Sequence, residues 1–194
     1  MACILDKGRT GFSCNTNAGG LKAMYVLEEF NPSLKADSTI VNGAMTSSST
    51  SNSVFKFDLE ADENTFTEEN EVNRAAGTSV FTSSGTLQFA KQGSDSQSAF
   101  QKLSKMRAQI ILEDHNGSFR LVGLENGVDF TVGTTSGGAL GDLSGYNVTF
   151  SGKELELAPF VSPTLISASA TEFSIETGGG SSVIPGSEVS DGSF

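Results

Sequence analysis

The sequence predicts a mainly β protein, an antiparallel β-sandwich or barrel with one flanking α-helix. Segments of alternating apolar and polar residues recur along the chain, as in Val54–Glu60, and this period indicates strands with one buried face. The 194 residues include 22 glycines, 4 prolines and no tryptophan, and 14 phenylalanines supply most of the aromatic content. This composition is typical of a single all-β domain with many turns, in which phenylalanine fills the space between sheets.

A strand and the predicted helix follow each other near the middle of the chain. Residues 86–91 alternate like a half-buried strand, and the polar residues 92–96 supply candidate N-cap side chains. Residues 96–106 then place apolar side chains at helical spacing, so one stripe of the helix can lie on a sheet. The stripe contains Ala99, Phe100, Leu103 and Met106.

The strongest local signal is a hairpin turn at Asn116–Gly117. This pair is preferred in two-residue type I′ turns because both positions need a positive φ angle. Such a turn would place Leu112 opposite Leu121. It would also place Glu113 opposite Arg120, so that an apolar pair and an opposite-charge pair coincide. We therefore predict a hairpin with this register.

The remaining segments divide the chain into a central β domain, residues 21–177, with two terminal arms. Glycines recur within residues 1–20, and this pattern predicts an N-terminal arm. Three consecutive glycines begin a predicted polar C-terminal tail over residues 178–194. Within the domain, residues 46–53 predict a low-complexity serine-rich loop. Residues 54–91 predict extended strands that carry one weakly hydrophobic, partly acidic face.

The last part of the domain predicts two strands joined by a turn. Tyr146–Phe150 is the first strand, Ser151–Gly152 is the turn, and Lys153–Phe160 is the second strand. Alternation in the second strand points Leu155 and Leu157 inward.

The charge balance argues against a protein that grips nucleic acid. The chain has 12 basic and 23 acidic residues, a net charge of −11, whereas binding through phosphates requires a positive surface. An acidic protein can still surround nucleic acid without binding it. A solubilising surface charge is the simpler alternative explanation.

The N-terminus and the cysteines predict a protein made in the cytoplasm. The apolar run within residues 1–9 breaks too soon for a signal peptide. No apolar run approaches the roughly 20 residues of a membrane span. Cys3 and Cys14 match no zinc or redox spacing, so we expect free thiols.

No catalytic arrangement emerges from the titratable residues. His115 is the single histidine, and a triad can be drawn with Asp114 or Ser118, but neighbours in one turn lack the spatial arrangement that a triad needs. A solvated turn histidine is the better interpretation. Residues 133–141 resemble a phosphate-binding loop only in their glycines, without the Gly-Lys-Ser/Thr ending. We predict no enzyme activity and no cofactor.

Glu68, Glu69 and Glu71 form a dense acidic cluster. As metal ligands they lack histidine partners, and as a glycosidase pair they lack the tryptophan platforms on which sugars stack. Alternation along a strand puts Glu69 and Glu71 on one face, so a solvated acidic face is the stronger interpretation. No metal site is predicted.

The central part of the chain also resembles a known family. The helix and the stretches Ile110–Gly117, Leu124–Asp129 and Gly145–Glu154 are similar to tail tube proteins, the major tail proteins of tailed bacteriophages. The resemblance covers about two thirds of the chain. It rests on turns and strands rather than on a catalytic motif.

This resemblance implies a structural protein whose copies form rings, usually of six, that stack into a tube. Strands from each copy join into a continuous inner barrel, so residues 54–91 are expected to line the channel and residues 97–106 to form the flanking helix. The serine-rich loop and both terminal arms are expected to contact neighbouring subunits or rings. The loop residues concerned are Ser47, Ser48, Ser49, Thr50 and Ser51.

The implied partners are other copies of the chain and further tail proteins, such as a tape measure, a terminator or a connector. The implied location is the virion tail, after synthesis in the bacterial cytoplasm and without a membrane. DNA would pass without specific binding, because an acidic, polar wall does not hold phosphates. Glu68, Glu69 and Glu71 are the candidates for that wall.

The sequence leaves other functions open. A head–tail connector or tail terminator ring protein shares much of the fold but stops at one ring instead of forming an open stack. A β-sandwich adhesin or carbohydrate-binding module is a different class, and the missing tryptophan and secretion signal weigh against it. An enzyme ranks last.

Overall fold

A computed structural model describes residues 18–59, 63–167 and 173–176. The predicted N-terminal arm therefore lies outside the described residues up to residue 17, and the predicted tail, residues 178–194, lies outside them entirely. The described chain is mainly β, with two sheets and one α-helix, which confirms the predicted fold class. Its elements in chain order are β1 (Leu21–Leu27), β2 (Ser38–Val41), β3 (Ala44–Ser48), β4 (Asn52–Asp58), β5 (Thr65–Asn73), β6 (Thr78–Ala90), α1 (Ser94–Leu103), β7 (Ile110–Asp114), β8 (Phe119–Val122), β9 (Asp129–Thr135), β10 (Gly145–Glu154), β11 (Phe160–Val161), a 3-10 helix (Pro163–Leu165), β12 (Ile166–Ser167) and β13 (Phe173–Glu176).

Two sheets of unequal size pack face to face. Sheet A contains nine strands in the order β12-β13-β4-β1-β7-β8-β11-β3-β2, and sheet B contains four in the order β5-β6-β10-β9. Every pair in sheet B is antiparallel. The strands of residues 54–91 therefore do not share one face as predicted, because β4 joins sheet A whereas β5 and β6 join sheet B.

The main core lies between the two sheets. Sheet A contributes Met24 and Leu112, and sheet B contributes buried side chains from every second position of β6 and β10. Helix α1 covers one end of this core through Phe100, whose ring centroid lies 4.9 Å from that of Phe89 and 4.7 Å from that of Tyr146. The opposite face of sheet B is left to solvent, as in many antiparallel sheets.

A second core fills the other face of sheet A. Tyr25, Ile111 and Leu121 point into it from the central strands, and Met45 and Phe173 reach it from strands near opposite ends of the sheet. Sheet A therefore curls around this second core. Its central strands β1 and β7 are buried on both faces, which explains their nearly continuous apolar sequence.

The helix begins and ends earlier than the predicted 96–106. The N–H group of Ser104 bonds to the carbonyl oxygen of Phe100 at 3.0 Å, but those of Lys105 and Met106 both bond to Lys102 at 3.0 and 3.1 Å. This tighter last turn ends the helix. The chain then enters an isolated bridge at Ala108, and Met106 is left half-buried.

The hairpin lies where the sequence predicts it, but its predicted register was wrong by one residue. Leu112 pairs with Arg120, not with Leu121, and Glu113 pairs with Phe119. A one-residue shift moves every side chain of one strand to the other face.

The turn chemistry explains this shift. Asp114 accepts two backbone hydrogen bonds at Oδ1, from the N–H groups of Asn116 at 2.9 Å and Ser118 at 2.8 Å. Of the two central residues expected for a type I′ turn, Gly117 alone has a positive φ, 75°. The carboxylate of Asp114 thus builds a three-residue loop in place of the predicted two-residue one.

The predicted turn at Ser151–Gly152 is also wrong, because β10 continues through it to Glu154. Leu155 and Leu157, expected to point inward, are 64% and 58% exposed. Beyond Glu154 the chain leaves sheet B and crosses to sheet A. The alternation of a strand therefore no longer decides where these two leucines point.

The predicted serine-rich loop is largely extended structure. Ser47 and Ser48 belong to β3, and only residues 49–51 form the bend before β4. Asp37 fixes this bend: its carbonyl oxygen accepts from Ser49 N and Oγ at 2.8 and 3.0 Å, and its Oδ2 accepts from Thr50 Oγ1 at 3.0 Å.

Candidate functional site

The side of sheet B that points away from sheet A carries rows of hydroxyl groups. Residues paired across antiparallel strands project to the same face. The pairing aligns four threonines in one row across all four strands, and these are Thr65, Thr86, Thr149 and Thr131. The adjacent row contains Thr67, Ser84, Ser151 and Asp129. We call these eight positions the hydroxyl face.

The residues between them fix the orientation of this face. Leu87 and Val148 alternate with the hydroxyl-bearing positions of β6 and β10 and are fully buried in the main core. Phe150 is also buried, and its ring fills the space next to Gly85, where a Cβ atom would lie 2.5 Å from the ring. Turning the hydroxyl groups inward would expose these apolar side chains.

Few charges accompany the hydroxyl groups. The charged residues at outward positions of the four strands are Glu69 and Glu71 on β5, Asp129 on β9 and Lys153 on β10, and all four are exposed. Three carboxylates against one ammonium group leave this side modestly negative. It therefore offers hydrogen-bonding groups without attracting polyanions.

Glu68, predicted as part of an acidic wall with Glu69 and Glu71, points to the opposite side of the strand. Its Oε1 accepts hydrogen bonds from Ser83 Oγ at 3.1 Å and from the N–H group of Ala158 at 2.9 Å. It therefore ties β5 to the segment that leads into β11. Only Glu69 and Glu71 share the outer side, as the alternation of a strand requires.

A second inward carboxylate, Glu154, was not singled out from the sequence. Its Oε1 accepts from the N–H groups of Glu125 at 3.1 Å and Asn126 at 2.9 Å, which fixes the turn before β9. Burial raises the pKa of the Glu154 carboxyl, and the two backbone hydrogen bonds oppose that rise. Lys35 lies nearby and pairs with Glu125 at 2.8 Å. This arrangement is structural support beneath sheet B.

Sheet B has two open edges among the described residues. β5 pairs only with β6, and β9 pairs only with β10. β5 has nine residues, β9 has seven, and neither contains proline. Long unpaired strand edges present free N–H and C=O groups to which another strand can add. These edges are therefore candidate assembly surfaces.

Sheet A extends past the β5 edge and forms a floor beside it. The floor is the continuation of the face that packs on sheet B, because Phe160 pairs with Arg120 and Arg120 pairs with the core residue Leu112. Phe160 is 43% exposed, and the guanidinium carbon of Arg120 lies 4.4 Å from its ring centroid. Together with residues 65–68 of β5 and with Leu157, they line a groove of about 970 Å³. We call it the edge groove.

The hairpin turn closes one end of the edge groove. The side chain of Asn116 holds Ala18 in both directions, accepting from its N–H group at 2.8 Å and donating to its carbonyl oxygen at 2.7 Å. His115 is exposed, and its N–H group bonds to the carbonyl oxygen of Gly20 at 3.4 Å. The turn thus anchors the start of the described chain.

No His, Cys, Asp or Glu side chains in residues 18–59, 63–167 and 173–176 are grouped in threes or more so that they could hold a metal ion. Over the same ranges, no helix is long and apolar enough to cross a membrane. Comparisons of the chain with protein-family models, curated proteins and solved structures give no match. The function is therefore inferred from the chain's own surfaces.

Proposed function

We propose that this chain is a non-enzymatic structural protein of a tailed bacteriophage virion. Its copies would join into rings, and the rings would stack into a tail tube through which DNA passes during ejection. The observation that carries the proposal is sheet B, with one side on the core, one hydroxyl-bearing side and two open edges.

The edges of sheet B suit head-to-tail joining. Its four strands alternate in direction, so β5 and β9 run in opposite directions. When copies are arranged around an axis, β9 of one copy meets β5 of the next, and the two strands are antiparallel. Repeating this contact closes the four-stranded sheets of all copies into one barrel and removes the open edges of sheet B.

The edge groove supports the same contact from the side of sheet A. A strand added to β5 would lie on the floor formed by Phe160, Leu157 and Arg120. Covering the exposed parts of these side chains contributes about 25 cal/mol for each Å² of apolar surface buried. The uncovered floor therefore favours a fifth strand at this edge.

The hydroxyl face supplies a suitable channel wall. Threonine and serine hydroxyl groups hold water by hydrogen bonds and carry no positive charge for phosphates to bind. Glu69, Glu71 and Asp129 add a weak repulsion that keeps a polyanion away from the wall. Glu68 plays no part in this wall, because it points inward.

Negative-stain electron microscopy of the purified full chain over a concentration series tests the proposal. Hollow tubes of stacked rings are the expected result. Single rings that never stack would instead favour a head–tail connector or terminator. Monomers at every concentration, together with glycan binding on a carbohydrate array, would favour the adhesin class.

A pair of variants tests the assigned contact. Phe160→Lys places a charge in the edge groove and should suppress ring formation. Leu155→Lys is the matched control, because Leu155 is an exposed leucine of the same crossing segment but does not line the groove. Equal assembly of the two variants would contradict the assignment of this edge.

A further inference from the structure

Three asparagine–glycine pairs occur in this chain, and each lies in a turn. They are Asn42–Gly43 between β2 and β3, Asn116–Gly117 between β7 and β8, and Asn126–Gly127 before β9. An asparagine followed by glycine can lose its side-chain amide without an enzyme. Glycine favours this reaction because it has no Cβ atom to hinder the approach to its own backbone nitrogen.

The reaction joins the backbone nitrogen of the glycine to the side-chain carbonyl carbon of the asparagine. A C–N bond forms, the bond to the side-chain amino group breaks, and ammonia leaves with the proton of the glycine N–H group. Water then opens the resulting succinimide ring at either carbonyl, which gives aspartate or isoaspartate. Hydrogen bonds that hold the side-chain amide or the glycine N–H group oppose ring closure, because they must break first.

Both reacting groups are engaged at Asn116. Its side chain is bound to the two backbone groups of Ala18, at 2.8 and 2.7 Å. The N–H group of Gly117 donates to the carbonyl oxygen of Asp114 at 3.1 Å. Ring closure here would also release the start of the described chain.

Both reacting groups are engaged at Asn126 as well. Its Nδ2 atom donates to the carbonyl oxygen of Lys153 at 2.9 Å. The N–H group of Gly127 donates to the carbonyl oxygen of Gly123 at 3.1 Å. This turn is therefore protected in the same way.

Asn42–Gly43 forms the two-residue turn of the hairpin of β2 and β3. Val41 pairs with Ala44 across it, and the φ angles of its two central residues are both positive, 52° and 76°, as a type I′ turn requires. Both residues are exposed. Neither the Asn42 side chain nor the Gly43 N–H group has a hydrogen-bond partner among the described residues.

We propose that Asn42 is a site of spontaneous deamidation and that it reacts ahead of Asn116 and Asn126 in the folded chain. At Asn42 the exposed turn has only to rotate for the two groups to meet, whereas the other sites must first lose at least two hydrogen bonds. The inference does not depend on assembly of the chain, since it concerns one turn of a single copy.

The product changes the floor of the edge groove. The carbonyl oxygen of Gly43 accepts a hydrogen bond from the N–H group of Phe160 at 2.8 Å, so the turn holds one end of β11. Isoaspartate inserts an extra carbon atom into the main chain between residues 42 and 43, which disrupts a turn of fixed length. Aspartate adds a negative charge but leaves the main chain unchanged.

Peptide mapping by mass spectrometry tests the proposal. The folded full chain is incubated at mildly alkaline pH and digested with trypsin at intervals, which places the three pairs in separate peptides, residues 36–56, 108–120 and 121–153. Fragmentation of the first peptide assigns the product to residue 42. Deamidation at Asn42 should be about tenfold or more faster than at Asn116 or Asn126, because of the hydrogen bonds that those sites must break. A rate at Asn42 no higher than at the other two would overturn the proposal.

The unfolded chain is the matched control. In concentrated urea the turns are lost, so the three pairs should react at similar rates. The same order of rates in urea as in the folded chain would refute the structural explanation, because the order would then come from the local sequence. Asn42→Gln should yield no product at residue 42 on the same timescale, since a longer side chain closes a larger ring more slowly.

Hydrogen exchange tests the effect on the edge groove. The acidic fraction of the aged chain is collected by ion exchange and compared with Asn42→Asp, which has the added charge but an unmodified main chain. The backbone amide hydrogen of Phe160 should exchange at least about fivefold faster in the aged fraction, because its hydrogen bond to Gly43 is weakened. Equal exchange in the two proteins would contradict the effect on β11.

Discussion

Gly85 offers the sharpest test of how sheet B is built. Its φ angle is not positive, so its backbone conformation does not require glycine. The space around its Cα atom, however, leaves no room for a side chain. A Cβ atom there would lie 2.5 Å from Phe150 Cζ and 2.5 Å from the carbonyl oxygen of Thr65. The carbonyl belongs to the neighbouring strand, and Phe150 is buried against Phe66, with ring centroids 6.3 Å apart. Neither neighbour can yield without cost.

We therefore expect Gly85→Ala to lower the free energy of unfolding by about 1–3 kcal/mol, the range for overpacking a filled core. Urea unfolding of the full chain at low concentration measures it. With urea m-values of about 1–3 kcal/mol/M, the midpoint should fall by on the order of 1 M.

Two further variants make the result specific. Gly141→Ala is the control, because a Cβ atom there meets no atom within 4 Å. Combining Gly85→Ala with Phe150→Leu should recover part of the loss if the ring is the obstacle. Equal stability of Gly85→Ala and Gly141→Ala would refute the reasoning that Phe150 and the β5 backbone leave no room.

Three other predictions concern a buried amide, a buried acid and the hydroxyl face. Gln109 is fully buried, and its side chain bonds to the N–H group of Asn31 at 3.0 Å, to the carbonyl oxygen of Asn31 at 2.9 Å and to that of Leu124 at 2.9 Å. Gln109→Leu should lower the free energy of unfolding by at least about 2 kcal/mol, because these three backbone groups lose their hydrogen-bond partner. Urea unfolding measures this change. Glu154 has a raised pKa in the folded chain, so the folded state binds more protons than the unfolded state just above the ordinary value of 4.5. Stability should therefore fall as pH rises through that window, and Glu154→Gln, whose side-chain oxygen can still accept both backbone hydrogen bonds, should abolish this fall in unfolding curves measured across pH. Thr131→Lys with Thr149→Lys should lower the free energy of unfolding by no more than about 1 kcal/mol, because the two ammonium groups lie directly opposite each other on neighbouring strands. The double variant should also give the assembled protein a salt-dependent affinity for double-stranded DNA that the unmodified assembly lacks in filter binding. Absence of such binding would argue that this face is not the channel wall.

Sequence patterns predict the strands that have one buried face. The apolar residues within 86–91 and 146–150 alternate in the sequence as the buried positions do in the structure. They do so because one side of sheet B packs on the main core and the other side faces water. The strands of sheet A carry a different pattern. β1 is buried at six of its seven positions, so the alternation that marks a one-sided strand is absent there and does not reveal the second core.

The errors in the predicted site arise where a side chain overrides a local pattern. The Asn116–Gly117 pair predicts a turn, but the Asp114 carboxylate sets its length and so the register of the hairpin. Alternation correctly separates Glu69 from Glu68. It does not reveal that Ser83 and Ala158, distant in sequence, bind Glu68 on the inner side.

The open edges and the edge groove could not be predicted from the residues alone. They exist because sheet A is wider than sheet B and because α1 covers only part of the exposed sheet. These are properties of how elements are arranged, and the local sequence of β5 or of Phe160 does not encode them.

The long hairpin of β5 and β6 has a consequence for how the molecule opens. Its inner half packs on the main core, whereas residues 69–79 are exposed throughout. A two-stranded ribbon without a packed face is marginally stable in water. One continuous strand thus spans two levels of local stability, and backbone amide hydrogens should exchange with solvent fastest near Gly77 and slowest near Leu87. The core would hold the ribbon's base in register, while its tip opens and closes many times for each global unfolding event.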